Sequence, residues 1–217
     1  MLFRPLLPDM VRLAEMPPSA ADPARLHPEE LRQIERAVDK RRREFAAGRQ
    51  LAHTVLGEAG APIEALLPDA DRVPRWPAGI VGSITHCNSL CAVAVASAAH
   101  TAAIGLDVEP ALPMSEDLLP QIVREVERAR LDALPAELRP LGGILTFSIK
   151  EAVYKAIYPE CRVFLDFQQV EIAFEGTDGF IAEVLVPCAS PPGRGRIHGR
   201  FRVADGHVAC AVVLSRD

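Results

Sequence analysis

The chain has 217 residues, of which 49% are hydrophobic and 24% charged, and its formal net charge is −5. These proportions exclude extended disorder, and the length suits one large domain or two small lobes sharing a core. An acidic chain makes a poor whole-surface partner for nucleic acid or an anionic membrane, so no nucleic-acid partner is expected and any basic site is local.

The first 28 residues hold six prolines and read as an irregular arm. Two of those prolines interrupt residues 1–8, which lack a secretory apolar core. Pro28 is a good first helical residue. Leu31, Ile34 and Val38, then Phe45, Leu51, Val55 and Leu56, continue a helical pattern with a break expected near Gly48; Gly57 and Gly60 stop it. Residues 61–76 are a Pro- and Asp-rich loop. Strands are expected over 79–85, 90–96 and 103–108. The apolar run 90–108 is interrupted by Ser97, His100 and Thr101 and ended by Asp107, so two buried strands with a turn at 98–101 suit it better than a membrane span.

Further along, 115–134 reads as helical, and 145–158 as a helix closed by Pro159. Strands follow over 170–174, 180–186, 199–203 and 208–214, with hairpin signals at 176–179 and at Asp205-Gly206. Cys91-Ala92-Val93-Ala94-Val95 resembles Cys210-Ala211-Val212-Val213-Leu214, which fits either two related lobes or a chance likeness of Ala/Val-rich strands. The cysteines are Cys87, Cys91, Cys161, Cys188 and Cys210. An odd number with no C-x-x-C pair points to reduced thiols in a cytoplasmic protein.

Four segments carry chemistry. In Gly105-Leu106-Asp107-Val108-Glu109, strand alternation puts both carboxylates on one side. Such a pair either ends a solvated strand or holds a hard divalent cation with phosphate oxygens. In Phe147 to Ala156, Glu151 and Lys155 are one helical turn apart, as a surface ion pair or as a carboxylate and lysine held beside phosphate. Gly82-Ser83-Ile84-Thr85-His86-Cys87 ends a strand with hydroxyls and an imidazole that suit a phosphate. Lys40 to Arg43 and Arg49 form a local basic run, with Arg49 among small and apolar residues; Arg75 stands next to Trp76.

Taken in order, Gly48-Arg49, Trp76 to His86, Gly105 to Glu109 and Phe147 to Lys155 resemble the motifs of the 4′-phosphopantetheinyl transferases. The likeness is to the monomeric two-lobed class, and 76–87 looks most like its enterobactin-synthetase branch. It spans roughly residues 40–160. It implies an α+β fold, a pseudo-twofold duplication of two similar α/β lobes: here 1–112 and 113–217, with a coenzyme A cleft between them. It further implies a cytoplasmic monomer that moves the phosphopantetheine arm of coenzyme A onto a serine of an apo acyl or peptidyl carrier protein. Adenosine 3′,5′-bisphosphate would be released and Mg²⁺ required, in fatty-acid, polyketide or siderophore biosynthesis.

Carried over by motif, Asp107, Glu109 and Glu151 match the metal carboxylates, Glu151 also the base, and Lys155 the catalytic lysine beside the phosphates. Thr85 and His86 match a pair contacting coenzyme A phosphate, with Thr85 where many members have Ser. Arg43, Arg49 and Arg75 are candidates for the nucleotide end. The arm before Pro28 matches no motif. The competing readings are a metal-dependent hydrolase of the coenzyme A diphosphate and a non-catalytic coenzyme A-binding module. An apo-carrier assay separates all three.

Overall fold

The computed structural model describes residues 1–186 and 195–216; Cys188 lies outside them. Two antiparallel sheets organise the chain. The first has the order β1 (Arg12–Met16), β3 (Cys91–Ser97), β2 (Ile80–His86). The second has the order β4 (Thr101–Pro110), β8 (His207–Ser215), β7 (Arg196–Ala204), β6 (Gly179–Val184), β5 (Val170–Glu175). The helices are α1 (Pro28–Gln33), α2 (Asp39–Glu58), α3 (Leu119–Ile122), α4 (Glu125–Asp132) and α5 (Gly142–Cys161).

Each sheet carries one 20-residue helix. Alternation along β3 divides its side chains: Cys91, Val93 and Val95 pack with Phe45, Leu51 and Val55 of α2, while Ala92, Ala94 and Ala96 face the opposite cluster. In the second sheet Cys210 and Val212 of β8 pack with Ile149, Val153 and Ala156 of α5. The two similar segments thus play matching parts, each a buried strand beneath a long helix. The fold is the α+β arrangement of two lobes that the motifs imply.

Residues 1–28 differ from the irregular arm that their prolines suggest. β1 pairs with β3, and three short 3-10 turns surround it. Leu2, Phe3, Leu6, Leu7 and Val11 fill the space between the sheets, against Ala92, Ala94, Leu106, Val108 and Ala209. The Glu15 carboxylate accepts from the backbone N–H groups of Leu2 (2.8 Å) and Phe3 (2.7 Å), tying the chain start to β1.

α2 runs straight through Gly48, where the missing Cβ admits Ile84; a Cβ there would lie 3.1 Å from its Cγ2. Close packing outweighs the ~1 kcal/mol propensity cost of glycine. The break falls instead at 34–38, which no sequence signal marks. The helix expected over 115–134 is two short ones, parted where Val123 turns extended. α5 passes Pro159, which sits in the last turn where few backbone bonds remain to lose. β6 ends at Val184, short of the expected 186.

β4 is the seam of the molecule. One edge is laddered to β8. On the other, the Leu106 N–H donates to Ser83 Oγ (3.0 Å) and the Val108 N–H to Thr85 Oγ1 (3.1 Å). Serine and threonine hydroxyls of β2 thus stand where a neighbouring strand would offer carbonyls.

Candidate active site

Alternation along β4 turns Leu106 and Val108 into the inter-sheet core and Ala103, Gly105, Asp107 and Glu109 toward α5. Gly105 permits the approach. A Cβ at that position would stand 1.9 Å from the Ala152 carbonyl oxygen and 2.8 Å from the Ala156 nitrogen. α5 therefore lies directly on β4, which brings Glu151 and Lys155 to the two strand carboxylates.

Asp107 is 3% exposed, so it is no solvated strand end. Its Oδ1 accepts from Lys155 Nζ at 2.6 Å, and its Oδ2 is buried without a partner. Lys155 reaches across to β4 rather than serving as a surface partner of Glu151, and its ammonium also lies 3.4 Å from Thr85 Oγ1. Burial, then repulsion from Asp107 and Glu151, pushes Glu109 up to about 7, against the pull of Lys155. Burial likewise raises Glu151, with Lys155 opposing and Asp107 adding. Among the described residues no three His, Cys, Asp or Glu side chains make a ready-formed metal cluster. Even so, three carboxylates that repel one another and an orphaned buried oxygen form a donor set that fits a hard cation.

A cleft of about 510 Å³ opens beside this cluster, and Lys155 lines it. One wall is the face of α2 bearing Arg41, Glu44, Phe45, Gly48 and Arg49; another is Gly82, Ile84 and His86 of β2; a third is Tyr154 and Tyr158 of α5. Residues 71–74 and Trp76 complete it. Trp76 lies on Gly82, whose Cβ would meet the indole at 2.7 Å.

Sequence-expected residues divide here. His86 lines the cleft, its Nε2 3.2 Å from Arg41 Nη1 and its Nδ1 3.8 Å from Glu44. Burial holds His86 below its ordinary pKa; Arg41 and Lys155 add to this, Glu44 and Asp107 oppose it. Arg49 lines the cleft but is 6% exposed, its Nε donating to the Leu66 carbonyl (2.7 Å) and its guanidinium 4.2 Å from the Phe45 ring centre. Burial pushes it down to about 10, which leaves it charged at neutral pH. Thr85 points to the seam and to Lys155 instead of the cleft.

Arg43 and Arg75 are exposed and do not line the cleft; Arg41 and Arg72 do. Helix phase explains the first: Arg41 shares a face with Phe45, Gly48 and Arg49, and position 43 is ~200° around the helix from it. The 3.6-residue period through Gly48 was the signal available for Arg41. Arg72 had none.

Lys150 was missed as well. Its ammonium donates to Glu127 Oε2 (2.9 Å) and to the carbonyls of Ile122 (2.8 Å) and Phe167 (2.9 Å), with both side chains 1% exposed. Glu127 also accepts from the Arg124 and Ile172 N–H groups. This buried pair fixes α4 and α5 against the second sheet, one residue from Glu151.

Two lobes, a cation-lined cleft and a carboxylate–lysine cluster at its side make an arrangement suited to phosphate chemistry. Comparison gives the class a name. Residues 28–96 match the family model of the 4′-phosphopantetheinyl transferase N-terminal domain, and residues 103–212 that of the 4′-phosphopantetheinyl transferase superfamily. The chain is 39% identical to 4′-phosphopantetheinyl transferase Svp of Streptomyces mobaraensis, covering 88% of this chain and 79% of that one. It is 35% identical to 4′-phosphopantetheinyl transferase Npt of Nocardia iowensis, covering 99% and 100%. The chain belongs to the 4′-phosphopantetheinyl transferase superfamily, and phosphopantetheinyl transfer is the general activity that membership supports.

The expected likeness to the enterobactin branch in particular is corrected. Enterobactin synthase component D of Salmonella typhi is 40% identical, but over 54% of this chain and 48% of its own length. The Streptomyces and Nocardia proteins match over far more of their own length, so segment 76–87 does not assign the chain to that branch. Among the described residues no helix is long and apolar enough to cross a membrane.

Proposed function

We propose that the protein transfers the 4′-phosphopantetheine arm of coenzyme A to a serine of an apo acyl or peptidyl carrier protein and releases adenosine 3′,5′-bisphosphate. The observation that carries this reading is Lys155: it lines the cleft and pairs with the buried Asp107 of the opposing strand. A cleft for a phosphorylated nucleotide thereby leads to a group able to meet charge on its diphosphate.

In this reading Arg41, Arg49, Arg72 and His86 bind the nucleotide end, where charge-assisted hydrogen bonds to phosphate are strongest. Arg43 and Arg75, exposed beyond the cleft wall, serve at its rim. Thr85 orients Lys155. The serine oxygen attacks the pantetheine-side phosphorus, and the bond from that phosphorus to the bridging oxygen breaks. The serine proton passes to a carboxylate, for which Glu151 is our candidate, since burial raises its basicity. Lys155 stabilises the negative charge gathering on the leaving bisphosphate. Asp107, Glu109 and Glu151 would hold Mg²⁺, which when bound neutralises diphosphate charge.

The 1–112 lobe, which lends β4 to the second sheet, and the 113–217 lobe then enclose one substrate, as a cytoplasmic monomer. Incubation with coenzyme A, Mg²⁺ and a panel of apo carriers tests the proposal. The carrier is expected to gain one phosphopantetheine arm. Coenzyme A cleavage without carrier mass gain would make the protein a hydrolase, and binding without turnover would make it a binding module.

A further inference from the structure

Residues 67–75 form a small hairpin. Asp69 N–H donates to the Val73 carbonyl (2.9 Å) and Arg75 N–H to the Leu67 carbonyl (3.0 Å), and Pro68 bridges Pro74. Asp69 Oδ1 accepts from the N–H groups of Asp71 and Val73, shaping the tip, and Arg72 takes the left-handed conformation there at φ 68°. Pro68 and residues 71–74 line the cleft opposite Tyr154, Tyr158 and Pro159 of α5. The hairpin is thus a wall of the cleft that belongs to neither sheet.

Its two ends are held very differently. At the base, both polar groups of the Leu66 peptide are gripped by buried charges. The N–H donates to Glu30 Oε1 (2.8 Å) and the carbonyl accepts from Arg49 Nε (2.7 Å). Glu30 is fully buried and is itself held by His53 (2.9 Å) and the His27 N–H (3.1 Å). At the tip, the hold is Arg162. Its Nη1 donates to Asp69 Oδ2 (2.6 Å) and Asp71 Oδ2 (3.0 Å), across the mouth of the cleft from the end of α5.

Arg162 caps α5 in the left-handed region at φ 53°, a conformation that favours glycine, and its Nε donates to the Pro159 carbonyl (2.9 Å). A glycine there would finish the helix with less strain but leave the hairpin tip untied. The Arg162 side chain is 42% exposed, that of Asp71 51% and that of Asp69 18%, so both pairs have an exposed cation. Ion pairs in that setting are weak and screened by salt, whereas the buried charges at Leu66 are neither.

We propose that Arg162 is a positioning residue. It latches the 67–75 hairpin to α5 while the buried grip at Leu66 serves as the hinge, and the latch sets how long the nucleotide end of coenzyme A stays in the cleft. The inference rests on the coenzyme A reading of that cleft and adds to it a residue outside the cleft lining. Arg162 touches no reacting group, so it governs retention of the co-substrate and leaves the transfer step alone.

Trp76, the sole tryptophan of the chain and part of the cleft lining, reports on the cleft by fluorescence. Coenzyme A dissociation is measured by stopped-flow chase for the wild type, Arg162→Gly, Arg162→Lys and Asp69→Asn. Arg162→Gly is expected to dissociate coenzyme A about 3–5-fold faster, the range that exposed ion pairs can supply. Arg162→Lys should recover part of the loss. In 1 M salt the wild-type and Arg162→Gly rates should converge, and the single-turnover transfer rate at saturating coenzyme A should stay at the wild-type value. Should Arg162→Gly fold poorly, Asp69→Asn, outside the cleft lining, carries the same test with a smaller acceleration. Equal dissociation rates in folded wild type and variants would overturn the latch alone. No binding of coenzyme A by the wild type would overturn the cleft reading and the latch together.

Discussion

Gly105→Ala is the sharpest perturbation that the packing of α5 on β4 offers. The added Cβ would stand 1.9 Å from the Ala152 carbonyl oxygen, 2.8 Å from the Ala156 nitrogen and 2.9 Å from the Ala156 Cβ. Two of those obstacles are backbone atoms, so no rotamer change relieves them. Contacts under 3.0 Å are essentially never seen for a real Cβ, so α5 must retreat from β4 by about 1 Å or more. Glu151 and Lys155 retreat with it, and the 2.6 Å contact from Lys155 to Asp107 opens beyond hydrogen-bond range.

Overpacking of this kind costs ~1–3 kcal/mol. For a chain of this length that lowers Tm by about 2–12 °C. Misplacing reacting groups by ~1 Å costs ~100-fold in rate. The assay is single-turnover transfer to an apo carrier at saturating coenzyme A, well below the variant's melting midpoint, with Tm from calorimetry. Wild-type rate and Tm together would refute the close packing. A lowered Tm with an unchanged rate would refute the claim that the approach of α5 positions the chemistry.

Lys155→Met should lower kcat by at least ~100-fold, about 2.7 kcal/mol, with a smaller loss of coenzyme A affinity, because the ammonium is needed most as the leaving group gains charge; parallel kinetics and calorimetric binding check both parts. Arg41→Ala should raise the KM for coenzyme A more than Arg43→Ala does, and dephospho-coenzyme A in place of coenzyme A should show whether Arg41 reads the 3′-phosphate. Lys150→Met strands Glu127 in the core and should cost ~3–5 kcal/mol in urea unfolding, with part regained in Lys150→Met/Glu127→Gln. Burial pushes Glu30 up, but His53 and the N–H groups of Leu66 and His27 outweigh it and hold the folded pKa below the ordinary value. Its stabilisation is therefore present above the unfolded pKa near ~4.3 and is lost as pH falls through the lower folded one, so the urea midpoint of the wild type should fall more steeply there than that of Glu30→Gln.

Strand periodicity was enough to place Asp107 and Glu109 on one side of β4, and helix periodicity to place Lys155 one turn from Glu151. Neither says what the other element contributes. That Lys155 reaches Asp107 follows from Gly105, whose missing side chain counts only once α5 is laid over it. Burial of Asp107 was invisible for the same reason: local pattern marks a strand end, and the covering helix lies some forty residues downstream. The prolines of residues 1–28 suggested an arm without structure, yet Leu2, Phe3, Leu6 and Leu7 supply the apolar surface that two sheets of alanine-rich strands lack. Arg41 and Arg43 look alike in a basic run, and only helical phase relative to Gly48 separates them. Lys150 carries no signal in the sequence, because its partner Glu127 comes from a different helix.

The hydroxyl seam between β2 and β4 has a consequence for how the two halves are coupled. A backbone ladder is indifferent to sequence: any residue but proline offers the same N–H and carbonyl, so its spacing is fixed by the peptide group. Here the joint is written in two side chains, Ser83 and Thr85, and Thr85 Oγ1 also lies 3.4 Å from the Lys155 ammonium. The mutual alignment of the lobes is thus an adjustable property of this chain, open to change by exchange of a single hydroxyl for another of different reach, and each such exchange moves the surroundings of Lys155 along with the joint.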